Sequence, residues 1–469
     1  MRYMTWRAAA GGIAILGFLA PAVHADAIDD YLRAEMAARR IPGLALAVVR
    51  GDRIEKLATF GFSDMENGAP VTDSSIFSIA SLDKELTAAG VLKAEERGKL
   101  RLDEPVSKYL PPSLPFAGIT IRQLLSHTSG LSDSLAPIDA ERSFISYTTD
   151  QLLEAIHPPI EPPGSGFLYS DDGMFLSQYA TERAVAEPWW KFMRRELFEP
   201  AGMKSVVSMN PQALIPGRVS PYNLNPDGQL IRDTRLDFDF GPLYTDLGMT
   251  IADFARWTMA LDGKGPLTPQ IVAALTTPSR LADGTPFAEV FSWTRYGLGI
   301  GIEDILGERV ITHSGHSGVG FVKFPARGLA VVVFTNLANS AGSDAVGLAL
   351  GVAGMLEERV ALRGMSVARA PDEKLAAGLR SDFESWAVGS PDLLHYARGL
   401  RSTVWANTAD FAGRLHNLGA LKSFEFLREQ RLDGERAYWF RARYADASFY
   451  LRYSIDREGL ISRLGWWHL

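Results

Sequence analysis

Residues 77–98 read FSIASLDKELTAAGVLKAEERG. An apolar lead, Phe77 to Ala80, runs into a stretch rich in helix formers that stops near Gly98. The spacing predicts a helix opening at Ser81. Unpaired backbone N–H groups and the helix dipole there favour negative charge developing on the serine hydroxyl. Lys84, three residues on, falls on the same helical face within reach of that hydroxyl. A serine needs a base to become a nucleophile, and a buried amine serves if it gives up its charge. Alone, the same pattern also describes a capping serine beside a solvated lysine.

Working outward, the spacing predicts a helix over 27–40, ended by Pro42-Gly43. Leu44 to Val49 and Ile54 to Phe62 read as a hairpin turning at Gly51-Asp52. Helical patterns and long loops fill the middle, one helix spanning 187–197 with Pro188 in its first turn. Strand character returns at Tyr296–Ile305, Val310–Thr312, Gly320–Phe324 and Leu329–Asn336, followed by a helix over 343–362. A chain that starts and finishes in one antiparallel sheet, with helices inserted across it, fits this order. Composition shifts at residues 364–371, a linker. Helical patterns then run to about Leu418, followed by three or four alternating strands that turn at Asp433-Gly434 and Glu458-Gly459. Tyr438, Phe440, Ala442 and Tyr444 share one strand face, as do Phe449, Leu451, Tyr453 and Ile455. This last part resembles the cone-shaped NTF2-like or cystatin-like folds. Its His395, His416, His468, Trp466 and Trp467 read as packing residues.

The chain has 469 residues, no cysteine and a formal net charge of −7. That length calls for a large domain plus a smaller one. The lack of cysteine excludes disulfides, thiolate metal sites and a cysteine nucleophile. Mild acidity gives no reason to expect a nucleic-acid partner. Arg2 and Arg7, an apolar run from Ala8 to Ala20 and small residues ending at Val23-His24-Ala25 have the layout of a secretory leader cleaved after Ala25. The run is too short for a membrane anchor. An exported protein, periplasmic or extracellular and without a stable anchor, is the expectation, divided as leader 1–25, main domain 26–365 and C-terminal α+β domain 366–469.

Two further motifs accompany Ser81 and Lys84: Tyr169-Ser170-Asp171, and His313-Ser314-Gly315 at the strand pair near the sheet's end. Matching phrases are Ile119-Thr120-Ile121-Arg122 running to His127-Thr128-Ser129-Gly130-Leu131, Phe198-Glu199-Pro200-Ala201-Gly202-Met203, Tyr296-Gly297-Leu298-Gly299 and Val331 to Asn336. Together, over residues 27–362, they resemble the serine β-lactamase and penicillin-binding-protein superfamily. The class C β-lactamase-like branch, with its esterases, D-aminopeptidases and DD-carboxypeptidases, matches best. The resemblance implies an α+β, β-lactamase/transpeptidase-like fold: an antiparallel sheet flanked by helices, with an inserted helical subdomain. It implies Ser81 as nucleophile, Lys84 as its activating amine and Tyr169 as proton shuttle. The oxyanion hole would be the backbone N–H groups of Ser81 and His316. Asp171, His313, Ser314 and Gly315 would contact substrate. No metal or cofactor is implied, and the partner is a small amide, peptide or ester.

Two departures bear on activity. Asp171 stands where the second motif usually ends in asparagine, and an ionised carboxylate only accepts hydrogen bonds. Bringing a lysine from about 10.4 to near 7.5 costs roughly 4 kcal/mol. A carboxylate about 4 Å away returns roughly 4 kcal/mol to the charged form at an effective dielectric near 20. Lys84 is therefore expected to stay an ammonium, leaving proton transfer to Tyr169, or else Asp171 is held protonated. We favour the tyrosine. His313 replaces the usual lysine of the third motif, so a permanent cation for a substrate carboxylate is missing. Both departures argue for a peptidase or esterase over an efficient β-lactamase. The competing reading is a catalytically silent envelope protein that binds peptide or glycan fragments. Gly315-His316-Ser317-Gly318 is not a hydrolase elbow, because Val319 occupies the required glycine position.

Overall fold

The computed structural model describes residues 22–134, 148–225, 227–234, 246–287, 295–416, 418–432, 434–445 and 447–469. The expected leader lies outside the described residues up to residue 21, and its last residues form the start of the helix Ala22–Arg39. Asp433, expected in a turn, also lies outside them.

Among the described residues, eight strands form the main sheet. Their order is Ala69–Pro70, Arg53–Asp64, Gly43–Arg50, Leu329–Thr335, Val319–Phe324, Glu308–Gly315, Gly301–Ile305 and Arg295–Tyr296. The first long strand thus pairs antiparallel with the last, Leu44 opposite Thr335 and Arg50 opposite Leu329. These strands read as almost unbroken apolar runs because both faces are covered. Leu44, Leu46, Val48, Val331 and Val333 pack toward the helices Ala22–Arg39 and Ala345–Leu356. Ala45, Ala47, Val49, Val332 and Phe334 pack toward the inserted helical part. The stretch expected as one strand over 296–305 is two, because Gly299 takes a left-handed φ of 68° between them. The closing helix is shorter than its pattern suggested, Ala345–Leu356, with Asp344 accepting from the Gly347 N–H at 3.0 Å as its cap. The helix expected over 187–197 is α-helical only at Trp189–Met193 and widens to a π turn over Arg194–Phe198.

The helix Asp83–Glu96 is buried all round inside the helical insert, which explains its weak amphipathic pattern. Even Glu85 is fully buried, accepting from the Trp257 indole N–H at 2.6 Å. Burial pushes its carboxyl well above the usual range.

Past the linker come helices Glu373–Ala387 and Arg401–His416, then a four-stranded meander: Ser423–Leu432, Glu435–Arg443, Ser448–Ile455 and Ile461–His468. One face of this sheet, with Tyr438, Phe440, Leu451 and Tyr453, packs on its own helices against Phe383 and Trp386. The other, with Leu427, Trp439, Tyr450 and Trp467, joins the core of the main domain beside Ile305, Val310 and Leu348. Arg452, fully buried, crosses this junction to Glu303 and donates to the Asp304 carbonyl at 2.7 Å. Gly347 lets the final strand approach: a Cβ there would lie 2.3 Å from the His468 carbonyl.

Candidate active site

Ser81 sits in a 3-10 turn, Ala80–Leu82, that runs straight into the helix Asp83–Glu96. One helical turn brings Lys84 back over it, and the ammonium donates to Ser81 Oγ at 2.9 Å. Ala80, just before the nucleophile, holds a left-handed φ of 44°, a strained value for a residue with a Cβ. Asp246 holds it there: one carboxylate oxygen accepts from the Ala80 N–H at 3.0 Å, and the other accepts from Ser78 Oγ. Burial raises Asp246 to about 6.

Tyr169 and Asp171 flank Ser170, which caps the helix Asp171–Val185 by accepting from the Gly173 N–H at 3.2 Å. The cap aims its two neighbours at Lys84. Asp171 Oδ1 lies 2.5 Å from Lys84 Nζ, and the Lys84 ammonium sits 5.0 Å from the Tyr169 ring centre. Ser81 and Lys84 both act on the Tyr169 hydroxyl, each favouring its ionised form against the larger effect of burial. Asp171 also lies in the first helical turn, where the dipole favours a carboxylate.

These contacts set the charges. Burial is the largest single influence and would lower the lysine, but the attraction and hydrogen bond of Asp171, joined by Tyr169 and Asp83, together hold Lys84 well above its ordinary value. Burial opposes ionisation of Asp171 too, and Lys84 wins again, so Asp171 is held below the usual carboxylate range. Tyr169 is pushed up, chiefly by burial, and is a neutral phenol at pH 7. The expected ammonium at Lys84 and the direction of these shifts agree; a phenolate base at Tyr169 does not fit them.

His313 is placed differently from the expectation. It is fully buried and off the cleft wall. Its Nε2 meets the Tyr296 hydroxyl at 2.8 Å and its Nδ1 meets the Ser314 carbonyl at 2.9 Å. Burial lowers it to about 3, so it is neutral. The imidazole expected to contact substrate is thus bonded to Tyr296 behind the cleft surface, its ring 6.4 Å from that of Tyr169. Ser314 and His316 do line the cleft with Ser81. Gly315 lies against the nucleophile's segment, where a Cβ would meet the Ile79 carbonyl at 2.7 Å. Ser317 Oγ donates to the Ser78 carbonyl at 2.9 Å, tying the turn that carries the His316 N–H to the stretch that carries Ser81.

Three other residues in the site escaped the sequence reading. Asp133 lines the cleft and accepts from the Asp171 N–H; burial, then the Asp171 charge, raises it to about 7. It stands two residues after the His127-to-Leu131 phrase, a signal that was available. Tyr296 secures His313. His127, quoted above only within that phrase, is fully buried, accepts from the Ser170 N–H at 3.1 Å and lies 4.3 Å from the Tyr169 ring, centre to centre. Since Nδ1 accepts, this neutral imidazole carries its proton on Nε2.

In front of Ser81 opens a cleft of about 1140 Å³, lined by both the main domain and the C-terminal unit. A nucleophile, an amine, a phenol and two backbone N–H groups around one cavity can carry out acyl transfer.

Comparison with known proteins agrees. The chain is 33% identical over 185 residues to penicillin-binding protein 4* of Bacillus subtilis, covering 38% of this chain and 40% of that protein. It is 32% identical over 228 residues to esterase EstB of Burkholderia gladioli, covering 44% and 55%. The chain thus spans between two fifths and just over half of the length of these relatives. The octameric penicillin-binding protein homologue from Pyrococcus abyssi shares the fold, with a TM-score of 0.61 over 92% of this chain and 96% of that one, at 17% identity. Esterases, amidases and carboxypeptidases are among the similar proteins. Residues 28–356 match the family described as Beta-lactamase, and the chain belongs to that family of serine hydrolases.

Proposed function

We propose that this chain is an exported hydrolase that cleaves an amide or ester bond through an acyl-enzyme on Ser81, as a peptidase or esterase rather than an efficient β-lactamase. The observation that carries the reading is the Lys84 ammonium 2.9 Å from Ser81 Oγ. The named esterase relative and the D-amino acid amidase fold neighbour from Ochrobactrum anthropi support the bond classes. The neutral, buried His313 supports the weak β-lactamase expectation, since it offers no cation to a β-lactam carboxylate. The leader-like sequence before Asp26 supports export.

The Lys84–Asp171 pair supplies the base. Its ion-pair form and its neutral form, amine plus carboxylic acid, differ by one proton moved across 2.5 Å. Asp171 keeps part of its side chain exposed, and substrate that covers it strips water from the carboxylate, which penalises the separated charges. The proton passes to Asp171, and the freed Lys84 amine takes the Ser81 proton as Oγ bonds to the carbonyl carbon. The carbonyl electron pair moves onto oxygen, between the Ser81 and His316 N–H groups, each such donor being worth about 3 kcal/mol. Tyr169, a neutral acid, protonates the leaving nitrogen or oxygen as its bond to carbon breaks, and regains a proton from Lys84. Water then attacks the acyl-enzyme by the reverse relay.

A fluorophosphonate probe should label the wild-type protein and fail to label Ser81→Ala. Intact-mass measurement should show acyl adducts with p-nitrophenyl esters or D-aminoacyl amides. A wild type that stays unlabelled while cleft ligands bind would return the chain to the silent-binder reading.

A further inference from the structure

The cleft in front of Ser81 has two walls, and one of them lies outside the hydrolase fold. It comes from the C-terminal unit: Arg414 on the helix Arg401–His416, Arg443 at the end of its strand, then Phe449 and Trp466. We propose that this wall is a subsite for a carboxylate on the substrate. The preferred substrates would then be amides or esters whose chain bears an anionic group remote from the scissile bond. The inference rests on the Ser81 acyl-enzyme reading and gives it a substrate class.

The first observation is a missing cation. At the third motif, His313 is neutral and engaged by Tyr296 and the Ser314 carbonyl, so that strand offers no positive charge to a ligand. The second is an excess of cations across the cleft. Glu425 serves two guanidiniums, Arg441 at 2.6 Å and Arg443 at 3.2 Å, leaving that trio with one positive charge. Glu35 is likewise shared by Arg39 at 2.8 Å and Arg363 at 2.5 Å. Five guanidiniums, Arg39, Arg40, Arg363, Arg414 and Arg443, line the cavity against three carboxyl groups, Glu35, Asp133 and Asp344, in a protein whose net charge is −7. A cationic cleft in an acidic protein concentrates anionic ligands. The third is shape. The Arg414 guanidinium lies 5.8 Å from the Trp466 ring centre, and Trp466 packs on Phe449 at 5.5 Å, so an apolar floor ends at a guanidinium. That arrangement suits a chain with an apolar body and a carboxylate tip.

The test uses the full chain and p-nitrophenyl esters of dicarboxylic acids from succinate to suberate, each as free carboxylate and as methyl ester. The anionic member of a pair should be favoured at least tenfold in kcat/KM at the best length, mainly through KM, and the preference should fade with added salt. Arg414→Gln/Arg443→Gln should cut that ratio at least tenfold, while Arg380→Gln, on the exposed face of the helix Glu373–Ala387, leaves it unaltered. A ratio near one in the wild type, or a ratio unmoved in the double variant, overturns the subsite. If fluorophosphonate still labels Ser81 in that case, the hydrolase reading stands without it; if labelling also fails, both fall.

Discussion

Lys84–Asp171 and Arg452–Glu303 both take opposite charges out of water, yet they are finished differently. Arg452 and Glu303 are 0% and 1% exposed, and the guanidinium is held further by the Asp304 carbonyl and lies over the Trp439 ring. Lys84 is 3% exposed but Asp171 is 30% exposed, and the lysine spends a donor on a reactive hydroxyl. One pair is sealed between two packed faces and fixes a geometry. The other keeps one carboxylate partly exposed beside the nucleophile, so its proton can shift when that edge is covered. The difference teaches that burial alone does not mark a functional ion pair; burial beside an opening and a nucleophile does.

The contrast breaks most easily at Lys84. Lys84→Met should lower kcat/KM for p-nitrophenyl esters on the order of 10³-fold. The melting temperature should barely move, because Asp171 then meets water or takes a proton. A collapse of the fold instead would make this pair structural too. Arg452→Met should do the reverse, costing about 3–5 kcal/mol in urea unfolding by stranding Glu303. Adding Glu303→Leu should recover most of that loss; if it does not, the pair is worth more than its neutral replacement.

The smallest effect sharpens the picture. In the wild type, Asp171 holds Lys84 protonated far above neutrality, so kcat/KM should stay level between pH 6 and 8 as far as this group is concerned. Asp171→Asn removes the largest part of that hold, burial is then opposed only by Tyr169 and Asp83, and the lysine falls. A rising limb should then enter the pH–rate profile near neutrality, with a few-fold change at pH 7. An unaltered profile would mean that the carboxylate does not govern the lysine's proton.

Much of this arrangement was legible before any coordinates. The central strands showed themselves because both faces are covered, leaving runs such as Leu329 to Phe334 without a polar residue. Ser81, Lys84 and Tyr169 showed themselves through local spacing and order along the chain. Asp246 did not, because it is a lone residue brought to the site by the path of the chain rather than by its neighbours. The burial of His313 was not legible, for a reason that strand geometry supplies. Side chains alternate along Glu308–Gly315, and His313 shares the face of Ile311 and Phe321, packed 6.4 Å from the Tyr169 ring behind the cleft surface rather than on it. The second apolar face of the C-terminal sheet was hidden by Arg452, which reads as a solvent residue until Glu303 is found opposite it.

That two-sided sheet has a thermodynamic consequence. A fragment ending at the linker would bare Ile305, Val310 and Leu348, and a free C-terminal fragment would bare Trp439, Tyr450 and Trp467. Neither half has a finished exterior without the other, so the linker divides the polypeptide but not the cooperative unit. Calorimetry should record one endotherm where the sequence suggests two modules, and the hydrolase and its appendage should be inherited, truncated and lost together.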